Sequence, residues 1–260
     1  MDLQLKDKVV LVTGGAKGIG AAIVHACAAE GAIPAVVDRD AEACRKLSAE
    51  LQQKSAGGKF IEVDLLIPEK CSFAIEEMVK ALGRIDALVN NAGVNDKVGL
   101  EGGDPGQFVA SLNRNLVHYY TMAHYALPHL KRSKGAIVNI GSKTAVTGQG
   151  GTSGYASSKG GVMALTREWA AELREYSIRV NTIIPAEVMT PLYRQWLDTF
   201  PDPEERLNTI LSKIPLGKRM TTAEEIAAMA VFLISPKSGH TTGQHIFVDG
   251  GYVHLDRALT

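Results

Sequence analysis

Cysteine is scarce in this chain, surplus charge is absent and no apolar run is long. Each shortage closes off a class of protein. The three cysteines among 260 residues, Cys27, Cys44 and Cys71, are odd in number and widely spaced, with no CxxC pair. That argues against a disulfide framework or a thiolate zinc ribbon and points to free thiols in a reducing, cytoplasmic setting. The seven histidines show no HExxH or comparable ligand spacing, so no catalytic metal is expected. Twenty-eight basic residues balance twenty-eight acidic ones without a basic block, which disfavours nucleic acid and anionic membrane as partners. No run approaches the ~18 apolar residues of a membrane span. The opening MDLQLKDKVV lacks the apolar core of a signal peptide.

What the chain does have is alternation. Apolar, β-branched runs fall at 9–12, 35–37, 60–63, 87–89, 136–140, 179–184 and 245–248. Between them lie helical patterns at 19–30, 41–54, 69–82, 105–130, 155–175 and 222–234. Strands alternating with helices predict an α/β fold: a single Rossmann-type doubly wound parallel sheet with helices on both faces. One domain is expected to occupy 1–260, since α/β sheets commonly run to this length. A stretch rich in proline and charge, about 187–220, reads as a substrate lid rather than a second domain, and 250–260 reads as a tail.

The first strand runs into TGGAKGIG, where Gly14, Gly18 and Gly20 let backbone approach a pyrophosphate at the start of the next helix. About twenty residues on, Asp38 ends the second strand, where an acid binds the adenosine ribose hydroxyls and repels a 2′-phosphate. At ~4 Å and an effective dielectric of ~20, each like-charge pair costs about 4 kcal/mol, so NAD is favoured. Lys17 and Arg39 lie close by and leave NADP possible. Asp38 can equally begin the following helix as a cap. Asp64, closing the third strand, suits either an adenine edge or a plain turn. The Asn90-Asn91-Ala92-Gly93 turn sits at the end of the fourth strand, where open parallel sheets bind ligands.

Residues 139–161, NIGSKTAVTGQGGTSGYASSKGG, carry the densest chemistry. If the helix begins near Tyr155, Lys159 lies one turn along the same face. An ammonium there lowers a tyrosine pKa from its usual ~10 and makes Tyr155 an acid or base near neutral pH. Ser142, just past an apolar strand, can hydrogen-bond the substrate oxygen. With seven tyrosines in the chain, the Tyr–Lys spacing alone is a weak signal. In the 105–130 pattern, Phe108, Leu112, Leu116, Tyr119, Tyr120 and Met122 exceed what one sheet face needs, so part of this helix is expected to meet another subunit.

Taken together, TGGAKGIG, NNAG, IVNIGS, YASSK, RVNTIIP and VDGG resemble the short-chain dehydrogenase/reductase family, in its order and over nearly the whole chain. The resemblance implies Tyr155 as general acid/base and Lys159 as the group that lowers its pKa and holds the nicotinamide ribose. It implies Ser142 as the residue orienting the substrate, and Asn115 as the fourth catalytic position, maintaining a water relay to the lysine. Gly14, Lys17, Gly18, Ile19 and Gly20 would line the pyrophosphate turn. Asp64 and Leu65 would meet the adenine, Asn91 would lie beside the ribose, and Val188 and Thr190 would hold the nicotinamide amide. Ala186 departs from the glycine that relatives usually carry after the proline. Homotetramers are usual in the family.

Around the reacting centre the resemblance places unusually polar residues, Asn95, Asp96, Lys143, Gln149 and Glu187, beside Ser142 and Tyr155, although each can equally face solvent from a loop. Buried polar groups demand partners, so such a pocket selects a hydroxyl-rich ligand. VNDKVGL, HYYTMAHYALPHLK, SKTAVTGQG, REWA, PAEVMTPLYRQW and VDGGYVHLDRAL resemble the branch of the family that acts on L-fucose. The activity implied is NAD(P)-dependent oxidation of the anomeric hydroxyl of a pyranose, such as L-fucose, L-galactose or D-arabinose, to its lactone. The alternative is a dehydrogenase or reductase of another alcohol or ketone, such as a 3-oxoacyl or steroid substrate.

Overall fold

A computed structural model describes residues 1–54 and 56–256. Seven strands form one sheet: β1 (Val9–Thr13), β2 (Ile33–Asp38), β3 (Lys59–Glu62), β4 (Ala87–Asn90), β5 (Ala136–Ile140), β6 (Arg179–Pro185) and β7 (His245–Val248). Their spatial order is β3-β2-β1-β4-β5-β6-β7, and every pairing is parallel. Strands β1, β4 and β5 are buried at every position, as near-continuous Val/Ile/Leu runs require when both faces are covered.

Successive residues of β1 feed opposite faces, because strand side chains alternate. Val10 and Val12 pack with Ile23, Leu47, Ile226 and Leu233, from α1 (Gly18–Ala29), α2 (Ala41–Gln53) and α9 (Ala223–Ile234). Val9 and Leu11 pack with Met78, Met122 and Trp169, from α3 (Pro68–Leu82), α5 (His118–Ser133) and α6 (Ser153–Leu173). Between β1 and β4 the strand order reverses, which opens a crevice at the strands' carboxyl ends.

The sequence predicts one helix over 105–130, and the chain is helical throughout that stretch, with a π turn set into it. Here α4 (Pro105–Leu112) meets α5 through a π-helical turn, Asn113–Val117. Asn115 explains the break. Its amide Nδ2 donates to the Ser111 carbonyl at 3.1 Å and its Oδ1 accepts from the Val94 amide at 2.7 Å. A side chain that binds its own helix backbone competes with the regular ladder. The apolar surplus is also smaller than expected. Tyr119 and Met122 are fully buried in this chain's own core, whereas Val109, Val117 and Tyr120 stay exposed.

Buried polar side chains lock α6 to the sheet. Asn90 Nδ2 donates to Asn139 Oδ1 at 3.0 Å, Asn139 Nδ2 donates to Thr166 Oγ1 at 2.9 Å, and Thr166 hydrogen-bonds Thr182. The 187–220 segment holds two short helices, α7 (Pro191–Leu197) and α8 (Pro203–Ser212). Its stem is stitched down where the Thr221 amide donates to the Glu187 carbonyl at 3.0 Å. Of the 250–260 tail, residues 257–260 lie outside the described residues. Among the described residues no helix is long and apolar enough to cross a membrane. Nor does any His/Cys/Asp/Glu group among them suit a metal.

Candidate active site

The glycine turn fits a dinucleotide phosphate through closeness of backbone. A Cβ on Gly20 would lie 2.1 Å from the Gly14 carbonyl oxygen, and one on Gly14 would lie 2.8 Å from Ala92 Cα. Gly14 and Gly18 have φ of +59° and +53°, a region that favours glycine. Helix α1 starts here without a side-chain cap and without an acid in its first turn, so its leading amides remain available to an anion. Asn91 braces this turn from the β4 end: its Nδ2 donates to the carbonyls of Thr13 at 3.0 Å and Gly14 at 2.9 Å. Thr190 closes the other side, since a Cβ on Gly18 would lie 3.2 Å from its methyl. Thr190 also caps α7, and Val188 is buried in the core.

Asp38 is half-buried at the end of β2, its carboxylate accepting from the amides of Ala16 and Asp40, each at 3.0 Å. It does not cap α2; Asp40 does, accepting from the Ala43 amide at 2.9 Å. Lys17, which was expected to offset Asp38, pairs instead with Asp40. An Asp immediately before a helical pattern is a recognisable cap signal, and Asp40 carries it here. Asp64 is exposed, turned toward the Leu66 amide at 3.0 Å, and Leu65 is half-buried beside it.

Across the crevice, Ser142, Tyr155, Lys159 and Asn115 come together. Ser142 lies two residues past the end of β5, where it caps a short 3-10 turn, and Tyr155 lies in the first turn of α6. Burial pushes the Tyr155 phenol up to about 12; a hydrogen bond with Ser142 pulls it back and the Asp96 charge adds to the rise. Burial alone holds the Lys159 ammonium down to about 7. The sequence predicts that Lys159 depresses Tyr155, and here the ammonium is engaged elsewhere. It donates to the Ile140 carbonyl at 2.7 Å and to the Tyr119 hydroxyl at 2.9 Å, with the Tyr155 ring centre 5.6 Å away. Tyr119 was assigned only to an apolar stripe, because its hydroxyl partner is set by β5 and not by local spacing.

Beside this group, Lys143 and Glu187 form an ion pair, their side chains 10% and 12% exposed. The Lys143 ammonium also sits 4.0 Å from the Tyr252 ring centre. The Tyr193 hydroxyl donates to Glu187, and burial, followed by that charge, raises its pKa. Neither Tyr193 nor Tyr252 stood out in the sequence, since tail and lid positions carry no periodic signal. Asp96 accepts from Ser111 Oγ at 2.8 Å and pairs with Arg114 at 3.2 Å. Asn95 accepts from the Lys97 amide, and Gln149 stands exposed on the 148–151 loop.

The crevice can therefore hold an extended phosphate-bearing ligand along β1, β2 and β4, and it presents a phenol, an ammonium and an ion pair at the inner end. Comparisons with known proteins agree with that layout. A family profile described as enoyl-(acyl carrier protein) reductase matches residues 14–253. L-fucose dehydrogenase of Oryctolagus cuniculus is 39% identical over 245 residues, covering 94% of this chain and 84% of that protein. The solved structure of Cj0485 dehydrogenase superposes with a TM-score of 0.94 at 48% identity, covering 100% of this chain and 99% of that one. L-sorbose reductase from Gluconobacter frateurii, solved with NADPH and L-sorbose, gives 0.93 at 27% identity, covering 98% of this chain and 100% of that one. With its crevice, its glycine turn and these relatives, the chain belongs to the short-chain dehydrogenase/reductase family of NAD(P)-dependent oxidoreductases.

Proposed function

We propose that the protein is a sugar 1-dehydrogenase, oxidising the anomeric hydroxyl of L-fucose or a close pyranose relative to the lactone with NAD. The observation that carries the substrate class is the Lys143–Glu187 pair at the inner end of the crevice, joined by Tyr193 and Tyr252. A buried ion pair is costly to desolvate and is stabilised when further hydrogen-bonding groups complete it. Neighbouring sugar hydroxyls supply both donors and acceptors, whereas the hydrocarbon of an acyl chain or steroid skeleton supplies neither. The relatives point the same way, with L-fucose dehydrogenase at 39% identity and a structure holding L-sorbose. The family profile's acyl-carrier description keeps a 3-oxoacyl substrate as the competing reading.

In the proposed reaction the Tyr155 phenolate takes the proton of the C1 hydroxyl while Ser142 steadies that oxygen. A nicotinamide bound in the crevice supplies the hydride acceptor for C1–H, leaving a carbonyl at C1. Lys159 lowers the cost of the phenolate: its ammonium lies 5.6 Å from the Tyr155 ring centre, and at an effective dielectric of ~20 a unit charge at such a distance is worth about 3 kcal/mol, roughly two pKa units. That shift offsets the rise that burial imposes on the phenol. Asn115 holds the Val94 amide and so fixes the turn after β4, while the 187–220 segment serves as the lid. Asp38 disfavours a 2′-phosphate, and Asp40 engages Lys17, one of the two cations beside it, so NAD is preferred over NADP, with Arg39 the remaining cation. The exposed Val109, Val117 and Tyr120 are the surface on which a tetramer would assemble.

A panel of aldoses with NAD and NADP, and of 3-oxoacyl thioesters and ketosteroids with NADH and NADPH, tests the reading by nicotinamide absorbance. L-fucose, L-galactose or D-arabinose with NAD is expected to give the highest kcat/KM. Turnover confined to acyl thioesters with NADPH would overturn it.

A further inference from the structure

The Lys159 ammonium, the Tyr119 hydroxyl and the Ile140 carbonyl form a closed triangle. Lys159 Nζ donates to the Tyr119 hydroxyl at 2.9 Å and to the Ile140 carbonyl at 2.7 Å, and the Tyr119 hydroxyl donates to the same carbonyl at 3.0 Å. Tyr119 is fully buried on α5 and Lys159 is buried on α6. An ammonium has three N–H donors, and two are fixed by this triangle. The free side of Nζ faces the turn after β4: a Cβ on Gly93 would lie 3.6 Å from Nζ and 3.0 Å from Asn115 Oδ1.

We propose that Tyr119 is the positioning residue of Lys159: its phenol oxygen, tied to the Ile140 carbonyl, holds the ammonium on the crevice floor with one N–H left for a bound ligand. A phenol in the core needs one acceptor, and Ile140 already satisfies it. That Tyr119 also accepts from Lys159 is therefore extra to packing. The long, flexible lysine stem would otherwise be free to leave the crevice. The groups facing this centre are few. From α5 come Tyr119 and His118, whose imidazole burial keeps neutral; from α6 comes Tyr155; Asn115 stands on the π turn. Asp96 acts on Tyr155 and Asp64 on His118, and neither carboxylate is a hydrogen-bond partner of Lys159. Burial already lowers the lysine to about 7. Removing an acceptor from the charged form lowers it further.

The assignment rests on the role given to Lys159 above, so its test includes a readout that needs no sugar turnover. In protein labelled with [ε-13C]lysine, Lys159→Met identifies the resonance, and its titration is followed in wild type and in Tyr119→Phe. The midpoint is expected to fall by half a pH unit or more in the variant. In steady-state assays kcat is expected to fall tenfold or more, with sugar KM within twofold and the alkaline limb of kcat moved to lower pH. A superimposable lysine titration in folded Tyr119→Phe would overturn the proposal, whatever the substrate proves to be. If that variant does not fold, 3-fluorotyrosine at position 119 weakens the acceptor without changing its shape. An unmoved Lys159 titration there overturns the proposal equally.

Discussion

At the scale of single residues, the account turns on how burial sets protonation. Tyr155 is pushed up to about 12 and Lys159 down to about 7, so burial penalises the phenolate and the ammonium alike. An ammonium beside a phenolate relieves both penalties at once. Tyr155→Phe keeps the ring and removes the proton carrier. Turnover is expected to fall by about 10²–10⁴-fold, the usual range for a lost general acid/base. NADH affinity, read by fluorescence titration, should stay within about threefold, since the hydroxyl contributes little to dinucleotide binding. Glu187→Gln tests the pocket instead. It leaves Lys143 buried without its counter-charge and weakens a charge-assisted contact worth ~1.5–3 kcal/mol, so kcat/KM for the sugar should drop about 10–100-fold. An unchanged sugar KM in that variant would remove Glu187 from the substrate site.

At the scale of elements, α6 is registered against the sheet by side chains and not only by apolar packing. The Asn90–Asn139–Thr166–Thr182 ladder crosses from β4 to β6 by way of α6 and leaves little freedom in where Tyr155 and Lys159 point. Thr166→Val is nearly isosteric, yet it strands the Asn139 amide in the core. The expected cost is about 2 kcal/mol, a fall of roughly 4–8 °C in melting temperature for a chain of this size. Calorimetry measures it, and a change under 1 °C would show that the ladder is slack. The strands, though not their spatial order, were legible in the sequence, because buried parallel strands read as unbroken Val/Ile/Leu runs. The division of α4 from α5 was not. It depends on Asn115 meeting Val94, a contact across 21 residues that helical periodicity does not encode. Lys143 and Glu187 were legible as polar residues, but their pairing with each other, and with Tyr193 and Tyr252, depends on how residues 187–220 and 250–256 fold back on the sheet.

For the whole molecule, the crevice is an opening at the edge of a single buried sheet, so its polar groups are also liabilities of the core. His118 illustrates this. It is 3% exposed, its Nε2 meets the Arg114 carbonyl at 2.9 Å, and burial holds its pKa down from 6.5 to about 4. The unfolded chain therefore binds a proton that the folded chain refuses between those two values. Stability is unaffected by this group above pH 6.5, falls as pH drops toward 4, and levels off below. The full loss is about 3 kcal/mol. Urea midpoints at pH 7.5 and 4.5 should diverge more in wild type than in His118→Gln. Equal divergence would place the acid sensitivity elsewhere.

The central claim is that C1 of a pyranose gives up its hydride in this crevice while Tyr155 takes the hydroxyl proton. The most direct test supplies L-fucose deuterated at C1 with NAD and follows the label by NMR. The account predicts deuterium at C4 of the nicotinamide, lactone in equal amount and a slowed rate with the labelled sugar. Reduced cofactor formed without the label, or a sugar product still deuterated at C1, would contradict it.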